Sequence, residues 1–195
     1  MILVDTQADL CSKFEKHFSG MDQVSVINAR FQDVQEWDCV VTPANSYGIM
    51  DGGFDYYLAE YFGPELQRSV RSGLYVHYSG VQPVGTSMIV ETGNEKHPFV
   101  AHTPTMRYPM SIQGTINVFL AMKAAMEAVQ DHNDNVRGEI IDTVLCPGIG
   151  TCAGGMDSNA AAYQMRLAYD MVFNPPKRMT WDVVREIEGR FHGGL

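Results

Sequence analysis

Short apolar runs alternate along the chain with segments whose apolar residues recur at helical spacing. "MILVDT" reads as a first strand, and in "ADLCSKFEKHF" the residues Leu10, Phe14 and Phe18 fall on one helical face. "QVSVINARF" alternates like a half-buried strand. "DCVVTPA" is continuously apolar, the pattern of a strand in a sheet covered on both faces. Helical patterns follow at "FDYYLAEYF" and at "PELQRSVRSG", the second opened by Pro64 at a favourable first-turn position. "TSMIVET" and "PFVAHTP" read as two further strands. The longest helix is expected over 112–129, with Ile112, Ile116, Phe119, Leu120, Met122 and Met126 as its apolar face. "DTVLCPGIG" is a buried strand that ends in a glycine-rich turn. "DSNAAAYQMRLAYDMVF" is a helix capped by Asp157 or Ser158 and stopped by Pro175 and Pro176. A last helix, about 180–191, starts at the capping Thr180. Strands separated by helices throughout define an α/β fold with a largely parallel, two-sided sheet.

Composition narrows the functional classes. With 195 residues, 45% of them apolar, the chain can bury one substantial core. Charged residues make up 19%, below the roughly 25% usual for soluble domains. The net charge of −9 argues against a nucleic-acid or membrane-surface partner, since both require a basic face. An anionic ligand must then be held by local main-chain donors. No run approaches the roughly 18 apolar residues that span a bilayer, and the N-terminus lacks the basic start of a signal peptide. Cys11, Cys39, Cys146 and Cys152 show neither CxxC nor zinc spacing, so reduced thiols in a cytoplasmic protein, with no metal site, are expected.

Two strand-to-helix junctions carry the candidate chemistry. One is "VVTPANSYGIMDGGFD", with Gly52 and Gly53 just before a helix. The other is "LCPGIGTCAGGMDSNAAA", with Gly148, Gly150, Gly154 and Gly155 between a strand and a capped helix. Glycines leave main-chain N–H groups uncovered, and a helix N-terminus adds a partial positive charge, so each junction suits a phosphate. In open α/β sheets ligands sit beyond the carboxyl ends of parallel strands, where both junctions fall. Residues 148–153 match GxGxxG/A literally. The dinucleotide fingerprint, however, needs a following strand with an acidic residue about 20 positions on. Here "NPPKRMTWDVVREIEGRF" reads as loop and helix, so a nicotinamide oxidoreductase is excluded on context. No Gly-Lys-Ser/Thr occurs, which removes a Walker A loop, and no cofactor is called for.

In combination, order and spacing, these two segments resemble the macro domain, the fold that binds ADP-ribose and its derivatives. "FQDV" (Phe31 to Val34) resembles the family's Gly-Asp-Ile/Val segment. The resemblance implies a single macro-type domain over 1–195, a three-layer α/β/α fold with a central mixed, largely parallel sheet, and the last helix packed on or appended to it. It places Asp33 on the adenine amino group and Asn45 on the distal ribose hydroxyls. Gly52, Gly53 and Phe54 would lie along the distal ribose and diphosphate, and Gly148, Ile149, Gly150, Thr151 and Cys152 would cradle the phosphates. Asp55 matches the acidic residue that orients water in family hydrolases. The implied activity is hydrolysis of an ADP-ribosyl linkage or of ADP-ribose 1″-phosphate, with Asn45 and Asp55 as the catalytic pair. The alternative is a non-catalytic reader of free or protein-linked ADP-ribose.

Each of these residues also has a plain structural reading. Asp55 suits a helix N-cap, Asp33 a surface turn, and Asn45 an Asx-turn. Thr42 and Pro43 depart from the family's Asn-Ala at these positions, and Asp51 stands where many members have glycine. No lysine occurs between Lys16 and Lys96, which excludes the branch that uses a lysine nucleophile. "TPTMR" after His102 is placed on the pocket floor, His102 itself is read as structural, and Arg107 as the partner of a surface carboxylate. Cys152, at a helix N-terminus, is expected to have a lowered pKa but is read as a small loop residue. Phe173 and Tyr169 are the candidates for stacking on adenine.

Overall fold

The computed structural model describes residues 1–135 and 138–193. In chain order the elements are β1 (Ile2–Asp5), α1 (Ala8–His17), β2 (Ser25–Asn28), a 3-10 turn (Phe31–Asp33), β3 (Cys39–Asn45), α2 (Gly53–Phe62), α3 (Pro64–Tyr78), β4 (Met88–Glu91), β5 (Phe99–Met106), α4 (Asn117–Asn135), β6 (Val144–Pro147), α5 (Ser158–Phe173) and α6 (Trp181–Gly193). The sheet order is β2-β1-β6-β3-β5-β4. All neighbours run parallel except the edge strand β4, which pairs antiparallel with β5.

Alternation along the strands divides the core in two. Leu3, Cys39, Val41, Ala101 and Cys146 pack with α1, α4 and α5 through Leu10, Phe14, Met122 and Met165. Val4, Val40, Val100 and Leu145 face the other way, onto Leu58 of α2 and Leu66, Val70 and Leu74 of α3. Burying each such Leu or Val contributes about 1.5–3 kcal/mol. The result is a three-layer α/β/α architecture. Helix α6 joins the first layer by setting the Phe191 ring 4.7 Å from that of Phe119. No helix among the described residues is long and apolar enough to cross a membrane.

Two sequence expectations shift. The long helix begins at Asn117 rather than near Ile112. Ile112 is buried, but in a turn whose N–H donates to the Gly154 carbonyl at 2.9 Å, so tertiary contact rather than helical periodicity explains its apolar character. Of the two candidate caps on α5, Asp157 holds the position, accepting from the amides of Asn159 and Ala160.

Candidate ligand site

The strands β3 and β6 lie side by side, yet they send their helices to opposite faces of the sheet: α5 follows β6 on one, α2 follows β3 on the other. Such a switch point opens a crevice at the carboxyl ends of the strands. The sequence widens it further. Pairing between the two strands ends at Val40 and Leu145. The amide of Cys39 donates to the Thr143 carbonyl, so every second residue from there, Pro43 included, turns its main chain toward β6, and Pro147 in turn faces β3. Neither proline has an N–H to donate, so the ladder cannot continue. The Pro-Ala-Asn exit of β3 is thus the point where the sheet parts.

The cleft that results has a volume of about 260 Å³. It is lined from β3 by Pro43, Ala44 and Asn45, from α2 and the loop before it by Ile49 and Asp51–Asp55, from the end of β5 by Thr105 and Met106, and from the loop after β6 by Gly148, Gly150, Cys152, Ala153 and Gly154. A larger hollow of about 460 Å³ lies against β4 and α4. Glu127 and Asp131 line it, which makes it a poor place for an anion.

The loop after β6 is built to leave its amides free. Four of its carbonyls are engaged: Gly150 O accepts from Met156 N, Cys152 O from Gly155 N, Gly154 O from Ile112 N and Gly155 O from the Gln113 side chain. The main-chain N–H groups from Ile149 to Gly154 find no acceptor among the described residues; Gly148 N alone is taken, by Asp5 at 3.2 Å. Glycine is required at several positions, Gly150 and Gly154 among them. Gly150 has φ +77°, and a Cβ there would lie 2.7 Å from Ile112 Cδ1. A Cβ on Gly154 would lie 2.6 Å from the Gly150 carbonyl oxygen.

The loop between β3 and α2 is built differently. Asn45 Oδ1 accepts from the amides of Tyr47 and Ile49, and its Nδ2 donates to Ile49 O at 2.7 Å. Asn45 is therefore the Asx-turn former and still lines the cleft, with one amide hydrogen to spare. Gln67 takes the Met50 amide at 2.7 Å. Gly52 has φ −157°, open to any residue, and a Cβ there would meet nothing within 4 Å. Neither backbone nor packing demands its glycine, beyond a modest preference at an N-cap.

Asp55 does not cap α2, correcting that reading. The helix starts two residues earlier, Gly52 is the cap, and the Asp55 side chain turns inward, where it is only 6% exposed. Burial pushes its carboxyl up to about 7; a hydrogen bond donated by the Thr42 hydroxyl opposes the rise, and the nearby Asp51 charge adds to it. Thr42, which stands out in the sequence only as a departure from the family, is this carboxyl's partner.

Other residues fall elsewhere. Asp33 is paired with Arg30 at 3.0 Å on the surface and is not among the lining residues. Ile149 has a fully buried side chain, and neither Ile149 nor Thr151 is among the lining residues. Tyr169 packs in the core against Phe18, and Phe173 sits at the far end of α5; neither reaches the cleft, whose one aromatic among the described residues is Phe54. Cys152 does line it. Burial and the Asp5 charge raise its thiol pKa, the reverse of the expected lowering. His102 is fully buried, bound to Gln82 at 2.7 Å, and burial drops its pKa to about 3, a structural histidine. Arg107 meets the Tyr47 hydroxyl at 3.3 Å rather than a carboxylate. Among the described residues no three His, Cys, Asp or Glu side chains converge as metal ligands.

These features define an α/β protein with a run of unpaired main-chain amides at the switch point of its sheet. Residues 41–165 match the family model of the macro domain, and the chain belongs to that family. An uncharacterized protein of Aquifex aeolicus (strain VF5) is 30% identical over 142 residues, which cover 73% of this chain and 78% of that one. The macrodomain of Mycobacterium tuberculosis DarG shares the fold with TM-score 0.59 at 16% identity, over 74% of this chain and 88% of the other. An Oceanobacillus iheyensis macrodomain with ADP gives TM-score 0.57 at 20% identity, over 73% and 74%. A mutant of the Oceanobacillus iheyensis macrodomain with ADPR gives 0.57 at 15%, over 84% and 88%.

Proposed function

We propose that the whole chain is one macro-type domain whose cleft binds ADP-ribose or a derivative and hydrolyses an ADP-ribosyl linkage or a 1″-phosphate. The observation that carries this reading is the run of unpaired amides from Ile149 to Gly154, of which those of Gly150, Cys152, Ala153 and Gly154 belong to residues lining the cleft together with the bare Gly52–Gly53 main chain. Amides without protein acceptors suit a diphosphate, and the unused hydrogen of Asn45 suits a ribose hydroxyl. The ADP and ADPR held by the Oceanobacillus iheyensis macrodomain support the same ligand class.

Asp55 supplies the chemistry in this reading. A carboxyl with a pKa of about 7 at the cleft wall is half ionised at neutral pH, the condition in which a general base is most effective. It takes a proton from water as that water attacks the anomeric carbon or the phosphorus; the bond from that atom to the leaving oxygen breaks, the leaving group departs with the bonding pair, and the proton held by Asp55 passes to it or to solvent. Four free thiols, three of them buried, support a reducing, cytoplasmic setting. ADP-ribosylated protein is the macromolecular partner in this reading, and nucleic acid is not one.

Calorimetric titration with ADP-ribose, ADP, AMP and NAD tests the binding. ADP-ribose should bind tightest, and Asn45→Ala should weaken it; equal affinity for AMP would remove the first loop from the site. Turnover of ADP-ribosylated protein and of ADP-ribose 1″-phosphate tests the hydrolysis. Asp55→Ala should cost about 10²- to 10⁴-fold in kcat while leaving affinity within a few-fold. Saturable binding without product would instead identify a reader.

A further inference from the structure

The charge around the cleft is one-sided. Asp51 and Asp55 are its charged lining residues, and among the described residues no Lys, Arg or His lines it with them. Asp51 is exposed on the first loop, immediately before Gly52 and Gly53, and takes part in no ion pair among the described residues. Proteins usually match a phosphate with guanidinium or ammonium groups. Here the second loop answers a diphosphate with amides alone, and the first loop offers a carboxylate.

The N-terminus of α2 opposes that carboxylate, since its first amides would otherwise welcome an anion beside the distal ribose. Magnitudes decide the balance. A helix end carries about half a positive charge, whereas Asp51 carries a full negative one and Asp55 adds to it; Arg107, next to the lining Met106, meets the Tyr47 hydroxyl and does not line the cleft, so the lining charges at the first-loop end oppose an anion. At the second-loop end the Asp5 carboxylate is already engaged by the Gly148 amide and does not line the cleft, and the unpaired amides beyond it keep that end attractive.

We propose that Asp51 makes this site select an ADP-ribosyl group whose distal ribose bears a neutral or cationic substituent, and reject the 1″-phosphate. The inference rests on the ADP-ribose reading and chooses between the two reactions it leaves open. It assigns the substrate to glycosidic attachments, such as those to protein side chains, rather than to a phosphomonoester.

The test titrates wild type and Asp51→Asn with ADP-ribose and with ADP-ribose 1″-phosphate, at about 0.05 M and about 0.5 M salt. The two ligands share their diphosphate, so the ratio of their affinities isolates the extra phosphate. Wild type should prefer ADP-ribose about 10-fold at low salt, the size of one charge–charge contact at partly screened distance. High salt should shrink that preference, and Asp51→Asn should remove most of it at both concentrations, leaving only the share due to Asp55. Asp51 is exposed, so the variant folds, which a thermal melt checks. An unchanged ratio in the variant overturns the inference while leaving ADP-ribose binding in place, as does release of inorganic phosphate from the 1″-phosphate by wild type. Failure of wild type to bind ADP-ribose at all overturns the underlying reading, and this one with it.

Discussion

The two loops that face each other across the cleft solve opposite problems. The loop after β6 ties down four of its carbonyls and keeps six consecutive amides, Ile149 to Gly154, without a protein acceptor among the described residues. The loop after β3 spends its polar groups on itself, with Asn45 tying down Tyr47 and Ile49, and Gln67 holding Met50. One is a donor surface; the other is a stiff wall with a carboxyl beneath it. Glycine means different things in the two. At Gly150 it is forced by a positive φ and by Ile112 underneath, whereas at Gly52 nothing in the protein requires it.

Three substitutions probe that contrast, in descending order of effect. The largest concerns the carboxyl under the wall. Asp55 ionises near pH 3.8 in the unfolded chain and about 7 in the fold, so the native state holds the proton longer. Its contribution to stability is therefore full below the unfolded value and is lost as pH rises toward and through 7. Asp55→Asn removes the loss. Chemical denaturation should show the variant gaining on wild type by about 4 kcal/mol between pH 4 and pH 8. A pH-independent difference would mean the carboxyl is not desolvated.

Next comes Gly150→Ala, which must place a methyl group into Ile112 and Val118 at a positive φ. A loss of about 3 kcal/mol is expected in urea unfolding, from overpacking and backbone strain together. The smallest effect on the fold, and the sharpest on the comparison, belongs to Gly52→Ala. Stability should stay within about 1 kcal/mol, because only a cap preference is lost. Affinity for ADP-ribose should nevertheless fall about 10-fold, the loss of roughly 1.4 kcal/mol that a displaced ligand contact brings. If both stability and affinity hold, the first loop is no wall of the site.

Much of this is legible in the chain. Each of the six strands is a short apolar or alternating run, and that local signal survives tertiary context. The start of the long helix is not, because Ile112 is apolar for another reason: it plugs the underside of the glycine loop, a contact between distant segments that periodicity cannot show. Asp55 reads equally well as a cap because its position relative to Gly52–Gly53 fits either role. Only the helix starting at Gly53 with φ +60° sends its side chain inward to Thr42. Asp33 takes its expected role from resemblance, while the nearby Arg30, at ion-pairing distance on a turn, is the local signal for its actual partner. Tyr169 and Phe173 are candidates by chemistry alone, and the far end of α5 is where the helix carries them.

The facing prolines, Pro43 and Pro147, have a thermodynamic corollary. Because the two central strands lack the hydrogens needed to zip together, the gap between them exists before any guest arrives, and no main-chain bond must be broken for occupancy. Reorganisation, ordinarily a large deduction from affinity, is kept small by two ring nitrogens. Replacing both with residues that can donate would let the seam close, yielding a tighter sheet with nowhere to put a nucleotide.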